Sequence, residues 1–257
     1  TTRNRIICVY TDEEKQIVFM DTPGVHKPKH KLGEFMVDAA IESLKETEAV
    51  LFVVAGNEKR GPGDNFIIEQ LKRVKVPVFL VVNKIDTLQK EQVLEAIVSY
   101  QDAYPFAGVI PISAKNKENL SELLNVLGEH LPEGPQYFPE DMITDQPERL
   151  IISDIVREKI LLSTRDEIPH AIAVDVDEMK TRDDGTTYIR ATIYCERDSQ
   201  KGIIIGNKGA LLRKIGAEAR MDIQKLLATK VYLDLWVKVK KDWRNKSGML
   251  SELGYKK

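Results

Sequence analysis

Val76-Pro77-Val78-Phe79-Leu80-Val81-Val82 is an uninterrupted apolar run that stops abruptly at Asn83-Lys84-Ile85-Asp86. A short run without polar alternation reads as a buried strand, and strands of that kind belong to sheets covered by helices. The polar tetrad at its end reads as a guanine-recognition motif. An ionised Asp is acceptor-only, so it can take two hydrogens at once, from guanine N1–H and the exocyclic amine. Adenine lacks that N1–H. Leaving a buried charged acceptor unpaired costs roughly 1–3 kcal/mol or more, enough to choose a base.

Two neighbours strengthen the reading. Ile17-Val18-Phe19-Met20 is another apolar strand, and it ends in Asp21-Thr22-Pro23-Gly24. In phosphate-binding-loop NTPases an Asp at such a strand end holds Mg²⁺. Gly24 has no Cβ to keep its N–H from a terminal phosphate. Downstream, Gly108-Val109-Ile110-Pro111-Ile112 leads into Ser113-Ala114-Lys115, a small-residue loop able to offer N–H groups to the guanine carbonyl. Each motif alone is an ordinary solvated turn. Together they stand in order at the carboxyl ends of strands, where open α/β sheets bind ligands.

No stretch fits G-x-x-x-x-G-K-[ST], the loop that cradles phosphates and supplies their lysine. Gly56-Asn57-Glu58-Lys59-Arg60-Gly61 continues into Pro62, and Gly202 to Gly206 has the wrong spacing. The chain opens Thr1-Thr2-Arg3-Asn4-Arg5. The expectation is a chain that begins inside a first switch loop. The preceding strand, loop and helix would need roughly 40 residues by ordinary element lengths. Without them the sheet is expected to open and uncover core.

A length of 257 residues, 42% apolar, fits one large or two ordinary domains. The net charge of −2 hides an asymmetry: residues 190–257 carry 16 Lys and Arg against 7 Asp and Glu, while the rest carries 22 against 33. A basic final third on an acidic body suggests a polyanion partner, or else a solvated lysine-rich face. Cys8 and Cys195 make no disulfide framework or metal-ligand spacing, which fits a reducing cytosol. No apolar run reaches transmembrane length.

Along the chain, residues 5–10 and 15–21 read as a hairpin about Thr11-Asp12-Glu13-Glu14. Helices are expected over 35–45, 64–74, 91–100 and 119–130, alternating with strands over 50–55, 76–82 and 108–112. This alternation predicts an α/β, doubly wound, mostly parallel sheet with the hairpin as an antiparallel edge. Residues 132–147 carry Pro132, Pro135, Pro139 and Pro147 and read as a linker. It divides a domain over 1–131 from one over 148–257. The second has the order helix (149–162), strand (170–178), strand (188–196), helix (199–205), helix (210–227), strand (231–239).

Gly206-Asn207-Lys208-Gly209 lies between the last two helices. In KH domains a GXXG loop clamps the backbone of single-stranded nucleic acid. The glycines allow close phosphate approach, Lys208 adds charge, and the next helix presents its positive amino end. Lys201, Arg213, Lys238 and Lys240 are further candidates for RNA phosphates. Ile203, Ile204, Ile205, Leu211, Leu212 and Ile215 should mainly pack the core, some lining a base-binding groove. Trp236 and Trp243 could stack bases, but each alone reads as packing.

A domain with these nucleotide motifs, joined by a short linker to an α+β type II KH domain, resembles the Era family of bacterial ribosome-assembly GTPases over the whole chain. The resemblance implies a GTPase using GTP/GDP and Mg²⁺, which binds the 3′ end of small-subunit rRNA and helps that subunit mature. It further implies a cytoplasmic protein, peripheral to the inner membrane. On that basis Thr1-Thr2-Arg3 is the switch I segment, and Thr2 contacts Mg²⁺ and the γ-phosphate. Asp21 holds Mg²⁺ through water and Gly24 bonds the γ-phosphate. Asn83, Lys84 and Asp86 hold guanine, with Ala114 completing the base site. Many GTPases place a water-orienting Gln after Asp-x-x-Gly; Val25 stands there, next to His26, and no catalytic base is evident. A competing reading is a constitutive RNA-binding protein with a non-hydrolysing GTPase-like scaffold.

Overall fold

The apolar run becomes the centre of a sheet. In the computed structural model, which describes residues 2–24, 28–165 and 168–255, β3 (Val50–Ala55), β4 (Val78–Asn83) and β5 (Gly108–Pro111) pair in the order β3-β4-β5, all parallel. Residues 78–82 of β4 are buried throughout. Leu80 and Val82 enter one apolar cluster with Phe52, Ile68, Leu71 and Tyr100; Phe79 and Val81 enter another with Ile17, Ile110, Leu123 and Leu127. Burying each such side chain contributes about 1.5–3 kcal/mol. Covering elements come from α2 (Pro62–Leu71), α3 (Lys90–Gln101) and α4 (Leu120–Gly128).

The hairpin forms as expected, with β1 (Ile6–Thr11) antiparallel to β2 (Gln16–Asp21). It is not an edge of the parallel sheet, however: β1-β2 is a separate two-stranded sheet. The free edges of β2 and β3 face a groove of about 1250 Å³ lined by Ile17, Phe19, Leu51 and Val53. Val53 is 54% exposed there.

The chain divides into two compact units. One holds residues 2–28 and 36–144; the other holds Lys29–Phe35 and Asp145–Lys257. Within the first, the proline-rich segment is not a free tether. Val9 N donates to Ile143 O at 2.8 Å and Thr144 Oγ1 to Ile7 O at 2.7 Å. Gln16 Oε1 accepts the N–H groups of Tyr137 and Phe138 at 3.0 and 2.9 Å.

Helix α1 (Lys31–Ser43) starts four residues before the expected 35, because His30 Nδ1 accepts the Gly33 N–H at 2.9 Å. Histidine is outside the usual capping set, so periodicity alone missed this turn.

In the other unit, α5 (Glu148–Ser163), a short α6 (Ile168–Ala171), β6 (Ala173–Thr181), β7 (Thr187–Cys195), α7 (Asp198–Ile205), α8 (Ala210–Leu227), β8 (Val231–Val239) and α9 (Ser247–Glu252) follow in order. The sheet runs β6-β7-β8, antiparallel then parallel. Ile152, Val156 and Ile160 of α5, Ile204 of α7 and Ile215 and Ile223 of α8 meet Ile189 and Ile193 of β7 in a fully buried core. Trp243 is buried, as expected, and its Nε1 donates to Ala171 O at 3.0 Å. Trp236 is not packed away: it is 54% exposed.

Candidate functional site

The strand β4 delivers Asn83 into a turn that Lys84 completes in the left-handed region, at φ 68°. Asn83 Oδ1 stabilises the bend by accepting Lys84 N at 2.7 Å, and it also accepts Ala114 N at 3.0 Å. One amide oxygen therefore ties the Asn-Lys-x-Asp turn to the Ser113-Ala114-Lys115 loop. A second tie lies beside it. The buried Ser113 donates its hydroxyl proton to Asp86 Oδ1 at 2.6 Å and accepts Asn116 N at 3.1 Å. Asp86 Oδ2 accepts no hydrogen bond among the described residues, and the side chain is exposed. The result is a carboxylate held by one oxygen and open at the other. Ala114 N–H is thus already engaged by Asn83, so any further acceptor would have to share it. Lys84 Nζ lies 3.6 Å from Glu58, and Lys115 is exposed.

Sequence reading missed the supports of this site. Gly56 N donates to Asn83 O at 2.8 Å, and a Cβ on Gly56 would stand 2.9 Å from Leu88 Cδ1 and Val82 Cγ1. Ser113 and Glu118 exchange backbone hydrogen bonds at 3.2 and 3.0 Å, closing the loop. Nothing in a four-residue motif signals either contact, since Gly56 follows a neighbouring strand and Glu118 lies beyond the motif.

At the end of β2, Thr2 Oγ1 donates to Asp21 Oδ2 at 2.6 Å. These two hard oxygen donors suit Mg²⁺, which is usually held by one or two protein oxygens, with waters and substrate phosphates completing its shell. Among the described residues no group of three His, Cys, Asp or Glu could hold a metal unaided. Pro23 is buried and Thr22 half-buried, while Gly24 is exposed with nothing within 4 Å of an added Cβ. Packing among the described residues therefore does not require glycine at 24. Val25 and His26 lie outside the described residues, as does Thr1.

The Gly206-Asn207-Lys208-Gly209 loop joins α7 to α8 through three positive φ angles, 72° at Gly206, 48° at Lys208 and 78° at Gly209. A Cβ on Gly206 would meet Leu211 Cβ at 2.7 Å, so glycine is required there twice over. Asn207 and Lys208 are exposed. Arg213 donates to Lys208 O at 3.2 Å, which makes it a brace of the loop as well as a charge beside it. Ile203 is 52% exposed next to the loop, while Ile204 and Ile215 are fully buried. Lys201 is half-buried on α7. Lys238 and Lys240 do not join this group. They alternate with Val237 and Val239, which face the helices, and so project from the opposite side of the sheet.

Comparison with known proteins matches both units. Residues 2–133 fit the family model for the Elongation factor Tu GTP binding domain, and residues 167–244 that for the KH domain. A solved structure of a single-residue variant of Aquifex aeolicus Era bound to GDP.AlF4- is 41% identical over 99% of this chain and 87% of its own, with a TM-score of 0.94. A structure of Era in complex with MgGDPNP and nucleotides 1506–1542 of 16S ribosomal RNA gives the same identity and coverage, with a TM-score of 0.95. Among the described residues no helix is long and apolar enough to cross a membrane.

Proposed function

Because the chain belongs to the Era family of GTPases, we propose that it binds GTP and GDP with Mg²⁺, binds the 3′ end of small-subunit rRNA, and assists maturation of that subunit. The observation that carries the nucleotide half is the pair of ties between Asn83–Asp86 and Ser113–Ala114. They hold one Asp86 oxygen open for guanine N1–H and the exocyclic amine, and set Ala114 N–H beside the base carbonyl. Lys84 lies along the base. Thr2 and Asp21 would hold Mg²⁺, with Thr22, Pro23 and Gly24 shaping the backbone that would face the terminal phosphate. Mg²⁺ neutralises charge that develops on the phosphoryl oxygens. An aliphatic Val25 cannot hydrogen-bond the attacking water, so hydrolysis is slow and the water is positioned by other groups.

The RNA half rests on the residues 206–209 loop in its KH setting. Gly206 and Gly209 let phosphates approach, Lys208 supplies charge, and Ile203 meets a base. Residues 1–131 and 148–257 divide these tasks, with 132–147 between them. Peripheral contact with the inner membrane belongs to the proposal on family likeness alone.

GTP is expected to change RNA affinity by the same factor that RNA changes GTP affinity, because the γ-phosphate and Mg²⁺ order the switch loops. The test is titration of a single-stranded oligonucleotide from the small-subunit rRNA 3′ end, with GDP and with a GTP analogue. An Asn207→Asp, Lys208→Asp variant serves as control, since it leaves both glycines in place. Binding lost in the variant supports the loop assignment. Equal affinity in the two nucleotide states refutes the coupling.

A further inference from the structure

The exposed Trp236 belongs to an ordered array on the face of the β6-β7-β8 sheet that points away from α5, α7 and α8. The register builds it row by row. Lys180, Tyr188 and Tyr232 lie side by side, then Glu178, Arg190 and Asp234, then Asp175, Thr192 and Trp236. Tyr188 and Tyr232 stack with ring centroids 5.8 Å apart. The Arg182 guanidinium sits 4.8 and 4.9 Å from those two centroids. Asp234 organises the centre, accepting Trp236 Nε1 at 3.0 Å, Tyr188 Oη at 3.1 Å and Arg190 Nε at 3.4 Å. The polar edges of Trp236 and Tyr188 are satisfied, yet Tyr232 and Trp236 remain 53% and 54% exposed.

Fixed rings of this kind are suited to flat, apolar, π-rich ligands. The charges select the class. Glu178 is matched by Lys180 at 2.7 Å, and Asp234 by Arg190. Arg182, Lys238 and Lys240 make no ion pair among the described residues, which leaves positive charge along the β8 side. Asp175 and Asp177 lie across the sheet on β6 and repel a polyanion from that half. β8 is also the sheet edge, and its inner residues pack with α7 and α8, which carry the residues 206–209 loop. A strand held at that loop can therefore pass round the β8 edge.

We propose that this face is a second single-stranded RNA platform, with one base stacked on Trp236, another on Tyr232 beside Arg182, and phosphates on Lys238 and Lys240. Stacking on aromatic side chains tolerates any base, so the platform would add length and affinity to RNA binding but little sequence preference. The inference stands on the exposed array itself and does not require the loop to bind.

Tryptophan emission tests it directly, because the chain has two tryptophans and Trp243 is fully buried while Trp236 is not. The chain, with and without Asn207→Asp and Lys208→Asp, is titrated with an oligoadenylate of about 12 nucleotides, enough to span both surfaces. Saturable quenching of the solvent-exposed emission is expected in both forms. Trp236→Ala should weaken binding about 5- to 20-fold, the lower range for losing one stacked base, and Trp236→Phe should recover most of it. Lys238→Gln with Lys240→Gln should lower the slope of log K against log salt by about 1.4, two single-strand phosphate contacts. If the loop variant keeps quenching and full affinity, the loop assignment fails and the platform stands. If the loop variant loses quenching and binding together, the platform fails and the loop stands. A face that serves a protein partner instead gives no quenching and an unchanged salt slope, and that result refutes the proposal.

Discussion

Replacing Asp86 by Asn should move base preference from guanine to xanthine, and the structure fixes the direction. Ser113 is buried and donates its hydroxyl proton to the Oδ1 position, where a buried O–H needs an acceptor, while one of its two lone pairs accepts Asn116 N–H. In Asp86→Asn the amide oxygen therefore stays on Ser113, and the amide nitrogen takes the open position. A donor then faces guanine's N1–H and amine. Two hydrogen bonds to a charged acceptor are lost, each worth about 1.5–3 kcal/mol, or about 3–6 kcal/mol together. That is about 10²- to 10⁴-fold in affinity. Xanthine carries a carbonyl where guanine carries the amine, so it should regain one bond. Calorimetric titration of both proteins with GDP and xanthosine diphosphate reads the ratio of affinities. Adding Ser113→Ala to Asp86→Asn frees the amide to flip and should blunt the new preference. Guanine affinity unchanged within about threefold, far below the range expected for two such bonds, would refute the assignment of Asp86 as base reader.

Three further outcomes follow from local geometry. Gly206→Ala should cost about 3–5 kcal/mol, combining a backbone conformation open essentially to glycine with the 2.7 Å approach to Leu211 Cβ; Gly209→Ala, with open space around it, should cost about 1–2 kcal/mol for its left-handed φ. Urea titrations followed at the buried Trp243 separate the two. Gly56→Ala should destabilise by about 1–3 kcal/mol through its contacts with Leu88 and Val82, and it should weaken guanine nucleotide binding by displacing the Asn83 turn; unchanged nucleotide affinity would deny Gly56 that supporting role. The backbone N–H groups of Glu14 and then Lys15 hold Asp12 down to about 2 from 3.8. A depressed carboxylate contributes stability that is full above its unfolded value and lost as pH falls through the folded one. The hairpin should therefore weaken between about pH 4 and pH 2, as read by amide exchange, and Asp12→Asn should remove that dependence.

Much of this fold was legible because its determinants are short-range. Residues 50–55, 210–227 and 231–239 begin and end where apolar pattern and glycine punctuation place them. The Asn83-Lys84-Ile85-Asp86 turn was equally visible, since its side chains act within a few residues of one strand end. What stayed hidden was second-hand support. His30 caps α1 although histidine is a poor cap by type, and Gln16 holds the proline-rich segment from 121 residues away. The separation of β1-β2 from β3-β4-β5 was hidden for a similar reason. An edge is defined by which strands neighbour it, and periodicity reports only which face is buried.

Trp236 shows why the remaining surface chemistry escaped a linear reading. Along β8 the residues Tyr232, Asp234 and Trp236 look like the polar half of an ordinary alternation. Their meaning comes from Tyr188 and Arg190, which the register sets beside them, and from Arg182, whose guanidinium lies against Tyr188 and Tyr232. A one-residue slip would turn every one of these side chains into the core and the isoleucines outward. The buried face thus fixes the register, and the register assembles the array, so the same contacts that stabilise the KH unit also position a surface no local motif encodes. It follows that variants of the array should alter RNA binding without altering stability, because Tyr232 and Trp236 contribute little to the core. A Trp236→Ala chain that unfolds at lower urea by more than a surface substitution warrants, about 0.5 kcal/mol, would show instead that the ring is there to hold the sheet.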